Sequence, residues 1–289
     1  MKEPGTNGSR RAVYAAATLS LVYLALLRVL PGPGPAARAE MIEASRLMAR
    51  ATAALRECRA ARGIALDREA DPNGTGLIGL EGSEITTSSG QLEAKRTTTN
   101  PDFAALVVSL LREAGVGNGD AVAVGASSSF PAFIVATLSA AAAMGIEPLV
   151  VSSLGASQWG ANVPAFTWLD MEDCLRAHFF PGFAPVARAV GGEGDVGRDM
   201  EPAGRAALEA RLRAGGIPFL ADPDLARNVA RRMEAYRESA GSKRIAAFVN
   251  IGGSTANIGT NARVLELRPG LAAGVFVPPL PERGVLQAM

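Results

Sequence analysis

Histidine is almost missing from this chain: among 289 residues there is one, His178. A Ser-His or Cys-His mechanism must use that residue, and a metal centre is short of imidazole ligands. Cysteine is nearly as scarce, with only Cys58 and Cys174. The two are far apart in sequence and outside any C-x-x-C spacing, so no zinc site is expected. One disulfide between them is compatible with a domain outside the cytoplasm. Excess charge is lacking too: the net charge is +1 and no long basic run occurs, which argues against a nucleic-acid partner. No internal repeat, dinucleotide fingerprint or P-loop is present, so no cofactor is expected. Lysine is rare in this arginine-rich chain, with three residues: Lys2, Lys95 and Lys243.

What is present is a globular composition, 48% hydrophobic and 20% charged. The length suits one large α/β domain or two small ones. Residues 1–11 form a short polar tail. Ala12–Leu30 follows as nineteen mostly apolar residues, near the ~20 that span a bilayer. We read it as an uncleaved transmembrane signal anchor, with a cleaved signal peptide as the competitor because Ala37-Arg38-Ala39 has the A-x-A form. The positive flank then places the globular part outside a single-pass cell membrane. Residues 31–39 begin with PGPGP, a stiff linker.

The rest of the chain, residues 40–289, centres on Asp120–Asn162. Ala121–Val124 is a short β run, Gly125–Ser129 a turn of small polar residues, and Pro131 suits the first position of a helix. Ala132–Met144 is apolar on every side, Gly145 ends it, and Leu149–Val151 is a second buried strand. This is a βαβ unit at the centre of a parallel sheet. Glu40–Ala61 has a helical period, and Asn100 caps a helix that Gly115 closes. Further helices are expected over Leu169–His178, Pro202–Ala214 and Asp222–Ser239, the last with Arg227, Arg231, Arg232 and Arg237 on a solvated face. Strands are expected at Leu77–Leu80, Ile217–Leu220, Arg244–Asn250 and Val264–Leu267. Residues 181–200 read as an irregular Gly-rich excursion. The sum is a three-layer α/β domain with a mainly parallel sheet, preceded by a transmembrane helix.

Four constellations carry candidate chemistry. Ser127, Ser128 and Ser129 follow a strand and open a helix, where amides and hydroxyls favour an anion; the plainer reading is helix capping. Ser153, Ser157, Trp159 and Asn162 lie in a second such loop, where the Trp either covers a ligand or plugs the loop. Asn250–Asn261 contains Gly252, Gly253, Ser254 and Asn257, a stretch suited to backbone approach or an anion nest, or to a tight turn. Glu93–Thr99 contains Lys95 and Arg96, partners for a carboxylate or phosphate, with Lys95 also a base for Ser127; a surface pair is the plainer reading. Asp170, Glu172 and Asp173 are explained by the helix N-terminus.

The segments ITTSSGQLEAKRTTTNPDFAAL, VAVGASSSFPA, SSLGASQWGAN with FTWLDME, and NIGGSTANIGTN together resemble the poly-γ-glutamate system protein family over most of Leu77–Leu267. The resemblance implies a membrane-anchored accessory component of poly-γ-glutamate synthesis, export or anchoring, with the polymer or its synthase subunits as partners. It carries over no catalytic residue. Ser128 stands where the family is more permissive of Gly, and relatives are expected to continue past the closing GVLQAM, which reads as the start of a helix.

Three functions compete. In the first, the Ser/Gly loops bind an anionic ligand or polymer with help from Lys95 and Arg96. In the second, the chain is a serine-dependent hydrolase or transferase acting on a γ-glutamyl or related substrate. There Ser127 is the nucleophile, Lys95 or His178 the base, and the Gly252–Gly253 amides the oxyanion site. In the third, it is a structural subunit of a membrane synthase complex.

Overall fold

All seven residues of Ala121–Ser127 are buried, so neither face of this strand meets water. That is the signature of a central parallel strand covered on both sides. A computed structural model describes residues 6–29 and 34–289 and divides the chain into two compact units, Met1–Arg38 and Ala39–Met289. In chain order the helices are α1 (Thr6–Val29), α2 (Pro35–Ala61), α3 (Leu92–Thr98), α4 (Asp102–Glu113) and α5 (Pro131–Met144). They continue as α6 (Trp168–His178), α7 (Pro202–Ala214), α8 (Leu225–Ala240), α9 (Thr255–Ile258) and α10 (Val285–Ala288). The strands are β1 (Ala121–Ser127), β2 (Glu147–Ser153), β3 (Asn162–Val163), β4 (Phe166–Thr167), β5 (Ala187–Ala189), β6 (Phe219–Leu220) and β7 (Ile245–Ile251).

Five strands form one parallel sheet in the order β6-β5-β2-β1-β7, and β3 and β4 form a small hairpin beside it. The chain walks outward from β1 through β2, β5 and β6, then returns to the far flank of β1. Right-handed crossovers require the helices to change faces when the direction reverses. Accordingly Val122, Val124 and Ala126 pack into one core with α2, α4, α5 and α6. Ala121 and Ala123 face the other core, with Val229, Met233 and Tyr236 of α8. Because α5 lies between the sheet and α4, it is apolar all round, and Phe133 meets Phe103 of α4 edge-on at 5.0 Å. Gly145, at φ +63°, supplies the left-handed residue that ends it.

Several expectations need correction. Among the described residues no helix is long and apolar enough to cross a membrane, which overturns the transmembrane anchor. The first turn and a half of α1, TNGSRR, is polar, Tyr14, Thr18, Ser20, Tyr23 and Arg28 interrupt the remainder, and Leu30 lies outside the described residues. The start of the polar tail (residues 1–5) and most of the PGPGP linker (residues 31–33) also lie outside them, and α2 already begins at Pro35. Leu77–Leu80 is extended but joins no sheet; it is tied to the Trp159 and Asn162 backbone and side chain instead. Val264–Leu267 is not a strand, because Asn261 caps a 3-10 turn over Ala262–Glu266. The 181–200 excursion contains β5, a three-residue strand inside the sheet that its glycine-rich flanks concealed. Helix α4 starts at Asp102; Asn100 Oδ1 accepts from its amide at 3.0 Å, while Pro101 takes the cap position.

Cys58 of α2 and Cys174 of α6 form a disulfide, with Cα atoms 6.5 Å apart across 116 residues of sequence. Closing so long a loop removes chain entropy worth about 5 kcal/mol from the unfolded state. Cys174→Ser, or reduction of the native chain, is therefore expected to lower unfolding free energy by about 2–5 kcal/mol. Denaturant titration with and without reductant measures this, and coincident curves would refute it.

Candidate functional site

The walk reverses between β1 and β7, so the loops leaving their carboxyl ends diverge and open a crevice. A cavity of about 460 Å³ lies there. Ser127 and Ser129 line it from β1, Ser153 and Ser157 from β2, and Gly253, Ser254 and Thr255 from β7. The segment from Thr87 to Lys95 forms another wall, and Glu193 and Asp199 stand on the side that follows β5.

Ser127, Ser129, Ser153, Ser157, Gly253, Ser254 and Lys95 are thus brought together. The other candidates have structural duties. Ser128 is fully buried and donates to the Ser153 carbonyl at 2.6 Å. Trp159 has φ +64° and bonds through its backbone to Gly79 and Leu80, outside the cavity lining. Asn162 brackets Leu80, accepting from its amide at 2.8 Å and donating to its carbonyl at 2.9 Å. Gly252, at φ +81°, passes so close to Ser127 that a Cβ would lie 2.9 Å from the serine's own. Asn257 is buried against Gly125, where a Cβ would fall 2.5 Å from its amide nitrogen. Arg96 turns away, donating to the carbonyls of Glu69 and Ala70 and pairing with Glu93. His178 sits beside the disulfide, not in the cavity. Asp170 closes a capping box with Thr167 and pairs with Arg62 and Arg211, while Glu172 is buried against Arg188.

Lys95 is 2% exposed. Helix α3 presents it, a helix hidden in the sequence by its run of serines and threonines. Its Nζ donates to the Ser129 carbonyl, lies 2.8 Å from Ser157 Oγ, and sits 3.7 Å from the centre of the Phe130 ring. Lys95 therefore contacts Ser157 and does not hydrogen-bond Ser127, whose Oγ lies 3.0 Å from Ser129 Oγ. Among the described residues no carboxylate is within ion-pair distance of Lys95. Burial without a counter-charge pulls its pKa from 10.5 down to about 8.

Beneath the floor lies a polar network that sequence reasoning missed. Arg232 is wholly buried and pairs with Asp195 at 2.5 Å, donating also to Asn228 at 2.9 Å and Asn257 at 3.3 Å. Asn228 donates to the same Asp195 oxygen at 3.0 Å. The other oxygen of Asp195 lies 3.4 Å from Ser153 Oγ and 3.5 Å from Ser254 Oγ, both cavity hydroxyls. Arg232 thus leaves the solvated face assigned to it, whereas Arg227 and Arg231 keep to the surface with Asp222. The available signal was spacing: Asn228, Arg232 and Tyr236 recur every four residues, on the side of α8 that also carries Val229 and Met233.

Cys58 Sγ, Cys174 Sγ and His178 lie within 4.8 Å of one another, but the sulfurs are bonded together and neither is a thiolate ligand. No family model, curated protein or solved structure matches this chain.

Arg232→Met leaves Asp195 buried without its cation, and a loss of about 3–5 kcal/mol in denaturant-measured stability is expected. Between pH 8 and 10.5 the unfolded chain holds a proton on Lys95 that the native state releases, so Lys95's contribution rises with pH there and is lost as pH falls to 8. The stability of the native chain relative to Lys95→Met should accordingly increase by more than about 1 kcal/mol across that window. A constant difference would refute the assignment.

Proposed function

We propose that the cavity binds a carboxylate-bearing ligand and that the chain is an accessory component of poly-γ-glutamate synthesis or export. The observation that carries this reading is the buried, uncompensated Lys95 in a cavity lined by serine hydroxyls. A desolvated cation without a partner is costly, and an entering anion offsets that cost. The hydroxyls of Ser127, Ser129, Ser153, Ser157 and Ser254 offer hydrogen bonds to its oxygens. Glu193 and Asp199 on another wall orient the ligand. They repel a second carboxylate and attract an ammonium, a pairing of charges that the amino end of a glutamyl chain carries. The Cys58–Cys174 disulfide supports placement of this domain outside the reducing cytoplasm. The resemblance of the sequence motifs suggests the polymer, and the buried Lys95 in the cavity supports an anion as the ligand.

Calorimetric titration with short poly-γ-glutamate oligomers at low salt and pH 7 tests the reading. Saturable, salt-sensitive binding is expected, weakened at least about tenfold by Lys95→Met, because charge-assisted hydrogen bonds are worth about 1.5–3 kcal/mol. Binding should also weaken as pH rises through about 8, where Lys95 loses its charge. Absence of binding at low salt, or binding indifferent to Lys95→Met, would overturn it.

A further inference from the structure

We propose that Ser157 is a nucleophile for acyl transfer and Lys95 the base that takes its proton, the substrate being an amide or ester that enters the same cavity. The geometry at Lys95 Nζ carries this. An ammonium has three N–H directions. Here one points to the Ser129 carbonyl, one to the Phe130 face and one to Ser157 Oγ at 2.8 Å. When the amine is neutral, two N–H groups still satisfy the carbonyl and the ring, and the lone pair falls on the Ser157 hydroxyl. The nitrogen is therefore positioned to act through Ser157.

Ser157 is itself fixed. Its amide donates to Ser129 Oγ at 2.9 Å, and the next amide, of Gln158, donates to the Ser88 carbonyl at 2.9 Å. Gly90 stands opposite. A Cβ there would lie 3.2 Å from Ser157 Oγ and 2.5 Å from the Gln158 carbonyl oxygen, so glycine keeps the hydroxyl approachable. Both Ser157 and Lys95 line the cavity. Among the described residues no carboxylate holds Lys95 in its charged form, which leaves a base that is half free at about pH 8.

In the step, Ser157 Oγ bonds to the substrate carbonyl carbon as its proton passes to Lys95 Nζ and the carbonyl electron pair moves to oxygen. The pair then returns, the bond from carbon to the leaving amine or alcohol breaks, and the leaving group takes the proton from Lys95. Water or a second amine attacks the resulting Ser157 ester, gives its proton to Lys95, and Ser157 departs and regains it. This inference shares the cavity of the anion-binding reading but uses Lys95 in the opposite protonation state, so the two stand or fall separately.

The test is labelling of the full chain with an uncharged fluorophosphonate, followed by peptide mapping from pH 6 to 10. Modification of Ser157 is expected, with a rate that rises through about pH 8 and then levels. Ser157→Ala should abolish it, and Lys95→Met should slow it by at least about 100-fold while thermal unfolding remains cooperative, as loss of a general base does. If Lys95→Met does not fold, the pH profile of the native chain decides. No label, label on Ser127 or another residue, a flat pH profile, or an unaffected Lys95→Met would overturn the inference. Oligomer binding without labelling leaves anion binding standing and removes the nucleophile; labelling without oligomer binding does the reverse.

Discussion

Both hydrogen-bonding edges of β1 are occupied by parallel neighbours, β2 on one side and β7 on the other. That pairing governs the rest of the molecule. Parallel strands end at the same edge, so every loop that follows a strand must emerge there. The chain also changes direction at β1, which separates its loop from that of β7 and leaves room between them. Three polar loops, distant in sequence, are thereby obliged to share one rim.

The interior handles charge in two ways. Arg232 with Asp195, and Arg188 with Glu172, are cations buried beside their anions. Removing one partner from such a pair exposes the other to the full cost of desolvation. Arg59 and Lys95 are buried outside such pairs: the carbonyls of Ala65, Gly76 and Ile78 hold Arg59, while at Lys95, which faces the cavity, a carbonyl, a hydroxyl and an aromatic face satisfy its hydrogen atoms without cancelling its charge. The result at Lys95 is a group whose pKa is drawn down to about 8. Electroneutrality is restored either by an anion or by loss of the proton, and these alternatives correspond to the proposed binding and the proposed base chemistry at one atom. The Asp195 network contributes rigidity beneath this cavity by holding Ser153, Ser254 and Asn257 through a single buried carboxylate and its arginine.

Much of the frame was legible. The apolar run of β1, the all-round apolar α5 and Gly145 specify a buried βαβ unit from local pattern alone, and the small polar residues after β1, β2 and β7 mark the edge where the cavity lies. Other elements were not legible. β5 has three residues, too few to show a period, and it is a strand only because its neighbours offer it hydrogen bonds; β6, by contrast, lies within the strand expected at Ile217–Leu220. Leu77–Leu80 shows the converse: a strand-like run whose backbone is satisfied by a loop. Arg232 was misplaced because an arginine in a basic helix reads as solvated until a buried aspartate is known to face it. The apolar N-terminal run also misled: among the described residues no helix is long and apolar enough to cross a membrane.

By itself the sequence determined the class of fold, the central crossover and the residue types available at the rim, because these follow from periodicity and from the conformational limits of glycine and proline. Tertiary structure alone decided which serine meets Lys95, that Cys58 meets Cys174, and that Asp195 is answered by Arg232. Those choices join residues between 37 and 116 positions apart. The physical reason is that desolvation and charge compensation depend on what surrounds a group in space, and no local pattern encodes that.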